Sequence, residues 1–335
     1  MTLKSDRKGF LSFFPTPEYL LLSNAGLAIT DDGIRFIEFQ RGLFSQNLKL
    51  SRHEKLPLSE GIVQSGFIND EASLTNSLKD LVARHRLKYV YATLPEERAY
   101  LFTAVIDKVP QEGLRDAVAF IIEANAPVSL ANSVFDFDVV EELVASNQLK
   151  VVVSVISKKV ADFYTQVFDA VGLVPVSFDI ESQAIARAII PKGDKTTQLV
   201  INLNNKKTGF YVVEDEVVQF TTTLPYGSSV RQDSSHMNDL KNEMSKVFGF
   251  WDTRNNVSNI DNRKIERILL CGSGAKNESF VSELTKDCSV RIDTADVWVN
   301  AGEEARDFPE ELDKEALEYA SAIGLALPHP DINHV

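Results

Sequence analysis

The sequence predicts an α/β fold made of two duplicated halves, and three observations support this prediction. Apolar strand-like segments alternate with segments of helical spacing, which favours mostly parallel sheets with helices on both faces. Two hairpin starts, at residues 25–39 and 198–213, each open a run of strands that strand–helix units follow. Late in the second half, a short apolar strand at 268–270 runs into a glycine-rich turn and then a polar segment that reads as a helix start.

The first half begins with the most distinctive local signal. A strand at 19–28 enters a turn at Thr30–Gly33, where Asp-Asp-Gly suits the positive φ angles of a tight hairpin, and residues 34–39 alternate as a half-buried strand does. Periodicity then predicts, in chain order, a helix at 71–85, a strand at 89–94, a strand at 151–156, a helix at 158–171, a strand at 174–178 and a helix at 181–189.

The second half repeats this opening. Strands are predicted at 198–203, 208–213 and 217–223, with polar turns between them. The turn formed by Gly272, Ser273 and Gly274 follows the buried strand 268–270, and glycines at such a turn let the backbone approach a ligand or a neighbouring segment closely. A helix N-terminus after this turn would offer free N–H groups to a phosphate.

Composition excludes several classes of protein. The chain has 335 residues, a formal net charge of −13 and 44% hydrophobic residues, which argues against a general nucleic-acid binder. No run approaches the roughly 18 apolar residues of a membrane span, and no secretory signal is recognisable. The only cysteines, Cys271 and Cys288, make neither a disulfide framework nor a metal cluster. We therefore expect a cytoplasmic protein that binds no nucleic acid.

Several segments in order resemble a known family. They are residues 27–39, 92–102, 119–140, 170–188, the Gly272 region and 319–327. Together they resemble the actin-like (actin/Hsp70/sugar kinase) fold and, within it, the type IV pilus assembly protein PilM family. The resemblance spans roughly residues 20–327. Each motif is loose by itself, and the order and spacing of the motifs make the match specific.

The resemblance implies a domain organisation. In this family a small subdomain is inserted between two strands of the first half, and here it would be residues 97–156, with strands at 100–106 and 133–141 around a helix at 111–123. The full division is then an N-terminal segment 1–18, a first half of 19–96 and 157–192, the insert 97–156, a second half 193–328 with a shortened helical subdomain, and a tail 329–335.

The resemblance also implies partners. In the family, the N-terminal peptide of the inner-membrane protein PilN docks beside the inserted subdomain, so a PilN-like partner and other pilus platform proteins are expected. The chain would then be peripheral at the inner membrane through these partners. A homo-oligomer stays open, as does the simpler reading in which the insert only completes the fold.

The hairpins depart from an actin-like ATPase in their chemistry. The resemblance requires an acidic residue at each hairpin start to hold Mg²⁺ or its waters, and glycine-rich tips that wrap the phosphates. In the first hairpin Thr30 stands at the place of the acid, and Asp31, Asp32 and Gly33 form a tip whose carboxylates we expect to face solvent. A shifted register could instead place Asp31 or Asp32 at the metal position.

The second hairpin departs in the same direction. Asn202 replaces the acid and Asn204 the glycine, while Lys206 and Lys207 read as a solvated tip that could also meet a phosphate. Only fifteen residues separate Gly227 from Glu243, which leaves no room for the helical subdomain that contacts the nucleoside in the family. By resemblance, Gly272, Ser273 and Gly274 remain as a relic of the adenosine turn.

The sequence therefore favours a PilM-like scaffold that is a pseudo-ATPase rather than an enzyme. The nucleotide-site residues, which the chain retains only in degenerate form, are Asp32, Gly33, Asn202, Asn204, Gly272, Ser273 and Gly274. No catalytic residue, metal site or cofactor is expected, although the family resemblance keeps ATP and Mg²⁺ as alternatives. Two further readings stay open. One is an ATP-binding PilM whose nucleotide state controls partner binding, and the other is an FtsA-like filament-forming protein.

Overall fold

The computed structural model describes residues 24–41, 48–229, 234–257, 263–302 and 310–328. The predicted N-terminal segment 1–18 and tail 329–335 lie outside these residues, as does the first part of the strand predicted at 19–28. The strands are β1 (Asn24–Thr30), β2 (Gly33–Arg41), β3 (Leu48–Leu56), β4 (Val63–Gln64), β5 (Phe67–Ile68), β6 (Tyr89–Leu94), β7 (Ala99–Asp107), β8 (Ser133–Leu143), β9 (Gln148–Ser157), β10 (Val174–Ile180), β11 (Gln198–Leu203), β12 (Thr208–Glu214), β13 (Val217–Leu224), β14 (Arg267–Cys271) and β15 (Arg291–Thr294).

Helices lie between and after these strands. They are α1 (Glu71–His85), α2 (Leu114–Asn125), α3 (Lys158–Ala170), α4 (Glu181–Ile189), α5 (Ser234–Val257), α6 (Glu278–Thr285), α7 (Glu310–Glu315) and α8 (Ala320–Ala326). The local sequence explains their boundaries. For example, α1 begins where the Asp70 carboxylate accepts a hydrogen bond from the Ser73 N–H at 3.0 Å, and it ends at Arg86 in a left-handed conformation.

The duplication predicted from the sequence is confirmed by two sheets of the same topology. The strand order β3–β2–β1–β6–β10 in the first half recurs as β13–β12–β11–β14–β15 in the second. In both sheets the first strand pairs antiparallel with its hairpin partner and parallel with a later strand, β6 in the first sheet and β14 in the second. The parallel pairs are β1 with β6 and β11 with β14. The carboxyl ends of these strands therefore lie in the same region of the molecule.

A third sheet lies between β6 and α3 in the chain. Strands β7 and β8 both pair antiparallel with β9, and α2 covers one face of this sheet, burying Val118 and Ile122 against Val151 and Val153. The opposite face turns towards the second half, where the Thr103 hydroxyl donates to Gln219 Oε1 at 3.4 Å. The insert is thus a small layer that touches both halves.

Helices α4 and α8 join the two halves through an unusually close contact. A Cβ atom at Gly324 would overlap the carbonyl oxygen of Ala184, and one at Gly26 would overlap the carbonyl oxygen of Ala322. Only glycine permits this approach between backbones. Almost every residue of both helices is buried, so the two helices form the packed layer where the two sheets meet.

The glycine-rich turn differs in one respect from the sequence prediction. After β14, residues Ser273–Lys276 form a single 3₁₀ turn, and α6 starts only at Glu278, where the Asn277 side chain accepts from the Phe280 N–H at 3.2 Å. An asparagine N-cap competes better for the helix start than the glycines do. The expected helix N-terminus at Gly272–Gly274 is therefore displaced along the chain.

Candidate functional site: the cleft between the halves

The tips of the two hairpins touch each other directly across the cleft. The backbone N–H of Asn205 donates to Asp32 Oδ2 at 3.2 Å, and Lys206 Nζ donates to the carbonyl oxygen of Asp31 at 2.9 Å. The Asp31 carboxylate accepts from the Ser65 N–H at 2.8 Å, in the turn between β4 and β5. The expectation that these two aspartates face solvent is wrong, because the facing hairpin and the β4–β5 turn supply them with donors.

Burial has an electrostatic consequence at this tip. It raises the pKa of Asp31, against the opposing effects of the Ser65 N–H and the nearby Lys207 ammonium. The carboxylate is thus held by protein donors.

Asn202 lies at the end of β11, where the sequence places it, and it is almost fully buried. Its Nδ2 donates to Glu181 Oε1 and to Tyr211 Oη, both at 3.4 Å, while the Cys271 thiol donates to its Oδ1 at 3.7 Å. Both ends of the amide are therefore occupied by neighbouring side chains. Burial, followed by the charge of Glu181, raises the pKa of Cys271, which keeps this thiol protonated and unreactive.

The position of Lys207 in the cleft also differs from the prediction. The expected solvated tip is wrong for this residue, because its side chain is only 7% exposed and its Nζ lies 2.6 Å from Glu181 Oε2 and 3.0 Å from Glu97 Oε1. Burial acts against the charge of Lys207, but the carboxylates of Glu181 and Glu97 outweigh it and raise its pKa well above the ordinary value. Burial likewise opposes the charge of Glu97, yet Lys207 lowers its pKa.

Gly272 explains why the turn after β14 needs glycine. Its φ is +86°, and a Cβ there would lie 2.6 Å from the Leu203 carbonyl oxygen and 2.8 Å from the Oδ1 atoms of Asn202 and Asn204. The Gly272 N–H donates to the carbonyl oxygen of Leu317 at 3.2 Å, ahead of α8. The turn therefore packs against the second hairpin with its own N–H already paired.

The segment that follows β13 covers this hairpin from the other side. The N–H of Ser228 donates to the Asn204 carbonyl oxygen at 2.9 Å, and the N–H of Ser229 donates to that of Asn205 at 3.1 Å. A Cβ at Gly274 would lie 2.5 Å from the Ser228 hydroxyl oxygen. The segment after β13 thus lies directly on the hairpin and on the glycine turn.

Two cavities remain on either side of the touching tips. The first has a volume of about 20 Å³, enough for about one water molecule, and its lining includes Asp32, Asn202, Asn204, Glu181 and Ser321. The second has a volume of about 370 Å³ and lies between the β4–β5 turn, Glu97 and the second hairpin, with Asp31, Lys206 and Lys207 in its wall.

The predicted site residues are partly brought together. Asp32, Asn202 and Asn204 share the smaller cavity, and Gly272 lies directly behind the two asparagines. Gly33, Ser273 and Gly274 are not among its lining residues, because Gly33 is at the start of β2 and Gly274 lies against Ser228.

The sequence did not indicate that Glu97 and Glu181 belong to the site, nor that Lys207 is buried between them. Glu181 does carry a signal, because it is the first residue of a helix that follows a parallel strand directly, and such positions face the carboxyl edge of a sheet.

With this geometry in place, the chain can be compared with known proteins. The family model described as "Type IV pilus assembly protein PilM" matches residues 26–248, about two thirds of the chain. The chain belongs to the PilM family. No curated protein matches its sequence significantly.

Solved structures are similar to this PilM family chain in fold. The PilM–PilN type IV pilus biogenesis complex matches with a TM-score of 0.71 and 20% identity, over 90% of this chain and 97% of that one. EutJ from Carboxydothermus hydrogenoformans gives a TM-score of 0.47 at 13% identity, over 94% and 90% of the two chains. A Bacteroides thetaiotaomicron protein with an actin-like ATPase fold and unknown function gives 0.44 at 11%, over 81% and 90%. The actin-like fold predicted from the sequence is confirmed.

Two further findings concern the described part of the chain. None of its helices combines the length and the apolar character needed to cross a membrane. Within the same residues, no three histidine, cysteine, aspartate or glutamate side chains come together in a group that could hold a metal ion.

Proposed function

We propose that this PilM family member is a scaffold that docks the N-terminal peptide of a PilN-like inner-membrane protein and works without a nucleotide. Docking would place it at the cytoplasmic face of the inner membrane, beside other pilus platform proteins. Family membership supports the pilus context. The similar structure in which a PilM is complexed with PilN supports the choice of partner.

One surface observation supports docking at the insert. Seven of the ten exposed large hydrophobic residues in the described part of the chain fall between positions 97 and 156, and they are Tyr100, Val105, Phe120, Leu130, Val134, Val139 and Val144. Phe120 is 88% exposed on α2. Such a concentration of exposed apolar side chains on a small subdomain is typical of an interaction surface.

The junction of the insert with the first half extends this surface. Phe67 of β5 is 51% exposed, and the Arg98 guanidinium lies 3.2 Å from the centre of its ring. Arg98 Nε also donates to the Ser65 carbonyl oxygen at 3.1 Å, which fixes the β4–β5 turn against the start of β7. Phe67, Arg98 and Tyr100 therefore form a rigid edge on which an extended peptide could lie.

Peptide titration tests the docking proposal. A fluorescent synthetic peptide, taken from the cytoplasmic N-terminus of the PilN-like protein encoded by the same organism, should bind with micromolar affinity. Truncating Phe67, Tyr100 or Phe120 to alanine should weaken binding at least tenfold where the residue is an anchor. Phe250→Ala is the matched control, because Phe250 is 47% exposed and lies on α5 of the second half. Equal affinity of all four variants would place the peptide elsewhere.

The proposal that no nucleotide is needed rests on the cleft. The tips that would hold phosphates between them are hydrogen-bonded to each other, and the space lined by Asp32, Asn202 and Asn204 is far below the roughly 300 Å³ of small-molecule sites. The cavity of about 370 Å³ beside the tips is lined by none of the predicted nucleotide-site residues. Asn202 brings no charge to a metal, and Ser228 lies against Gly274. These residues do not fit Mg²⁺–ATP unless the two halves separate. Peptide affinity should therefore be the same with and without Mg²⁺–ATP.

A further inference from the structure

A buried group of charges joins three parts of the chain in the cleft. Lys207 comes from the second hairpin, Glu181 is the first residue of α4, and Glu97 lies in the 3₁₀ turn between β6 and β7. The ammonium donates to one oxygen of each carboxylate, at 2.6 Å and 3.0 Å. One positive charge therefore connects the second half with α4 of the first half and with the turn at which the insert begins.

The surroundings of this charge are acidic and closely packed. The other titratable or charged groups that face the cluster are Asp31, Glu96, Arg98, Tyr164, Tyr211 and Cys271. Glu96 accepts from the N–H of Ser182 at 2.9 Å, and burial raises its pKa. Without Lys207, the buried Glu181 carboxylate would lose the cation that pairs with it and Glu97 would keep only the charge of Arg98, which is costly inside a protein.

We propose that the Lys207 ammonium is a built-in cation, which holds the two halves closed in place of an exchangeable ligand. This inference rests on the proposed absence of a bound nucleotide. A positive charge that is covalently part of the hairpin cannot dissociate, so the closed arrangement is independent of ligand concentration. Lys207 is thus a positioning residue, and it acts on the hairpin contacts between Asn205 and Asp32 and between Lys206 and Asp31.

Removing this charge should make stability depend on pH. In Lys207→Met the buried Glu97 carboxyl loses the cation that lowers its pKa, so burial raises the pKa of Glu97 in the folded protein above that of the unfolded chain. The penalty is then full at pH 8 and shrinks as the pH falls and Glu97 takes up a proton. We expect Tm to fall by about 10 °C at pH 8 and by much less at pH 5. Lys206→Met is the matched control, because its ammonium contacts only a carbonyl oxygen across the cleft.

A second variant distinguishes the effect of the Lys207 charge from the effect of its packing. Lys207→Met combined with Glu181→Gln removes one charge of each sign, so at pH 8 it should recover more than half of the Tm lost by Lys207→Met. It also keeps the test usable if Lys207→Met alone does not fold. An equal loss of Tm at both pH values, or a double variant no more stable than Lys207→Met, would show that Lys207 acts through packing and would overturn the inference.

Amide hydrogen exchange measures whether the second hairpin is held against the first half. The amides of residues 204–207 should exchange faster in Lys207→Met than in the unmodified chain, and unchanged exchange would contradict a role in holding the halves together. The proposed function and the role of Lys207 are contradicted by different results. Binding of Mg²⁺–ATP by the unmodified chain would overturn the proposed function, whereas a flat pH profile would overturn only the role of Lys207.

Discussion

At the scale of single residues, the cleft is defined by neutral or internally paired side chains. Asn202 occupies the place where the family resemblance requires an acid, and its amide hydrogen atoms point at Glu181 and Tyr211. A carboxylate in this position would face Glu181 as a like charge. The neutral amide is therefore matched to a site in which Lys207 already supplies the positive charge.

Restoring the acid should consequently destabilise the protein. Asn202→Asp removes a buried donor and adds a buried negative charge, so we expect a loss of about 1–3 kcal/mol at pH 7. The new carboxyl has a raised pKa in the folded state, so the loss should diminish as the pH falls towards 4. Thermal unfolding over this pH range measures it. Asn132→Asp, at an exposed position, should change Tm little, and a Tm gain in Asn202→Asp would contradict this description of the site.

The residue scale also shows what the sequence could and could not predict. Motif spacing located Asn202, Asn204 and Gly272, because hairpin starts and glycine turns are local patterns. Lys207 read as a solvated tip because its partners, Glu181 and Glu97, lie 26 and 110 positions away in the chain. Asp31 and Asp32 were misjudged for the same reason, since their donors come from the β4–β5 turn and from the facing hairpin.

At the scale of elements, the two linking helices depend on glycine. Because Gly324 lets α8 approach the backbone of α4, any side chain there must push the helices apart. Sequence periodicity predicted α4 and the hairpins well, since their signals are local. It could not show which helices would be in backbone contact, because that depends on the packing of residues far apart in the chain.

Substitution at this contact should have a large effect. Gly324→Ala should cost more than 2 kcal/mol, because the new Cβ overlaps the Ala184 carbonyl oxygen. Gly249→Ala is a matched helical control, since a Cβ there meets nothing within 4 Å, and it should stabilise the protein by about 0.5–1 kcal/mol. Chemical denaturation measures both. Equal effects of the two substitutions would be inconsistent with the close helix contact.

A second element-scale prediction concerns the start of α8. Glu318 accepts from Arg35 on β2 at 2.7 Å and from Lys55 on β3 at 2.9 Å. Burial works against its charge, but these two cations outweigh burial and lower the pKa of Glu318. Because the folded-state pKa is lowered, the stabilisation is present above the ordinary pKa near 4.5 and is lost as the pH falls below it.

Glu318→Gln should therefore lower stability by about 1–3 kcal/mol at pH 7. The difference from the unmodified chain should narrow below pH 4.5. Thermal scans from pH 3 to pH 8 would follow it. Glu283→Gln serves as the control, because Glu283 forms only an exposed pair with Lys241 and should show little change at any pH. A Glu318→Gln deficit that persisted unchanged at pH 3 would argue against the ionic role.

At the scale of the whole molecule, the cleft lies between the two duplicated sheets, which the linking helices join. The exposed apolar side chains are concentrated on the insert. The duplication was predictable from the order of strands and turns, and the insert was expected from the family resemblance. The closed state of the cleft was not, because it arises from tip-to-tip contacts and from the packing of Ser228 on Gly274. The molecule thus has two duplicated halves, with its own side chains in the space between them.

The most direct measurement is a calorimetric titration of the purified chain with Mg²⁺–ATP, with Tm recorded alongside. We expect no binding heat and no rise in Tm up to millimolar nucleotide. Micromolar binding with a rise in Tm would contradict it, and would show that the hairpin tips separate to hold a nucleotide whose state controls partner binding.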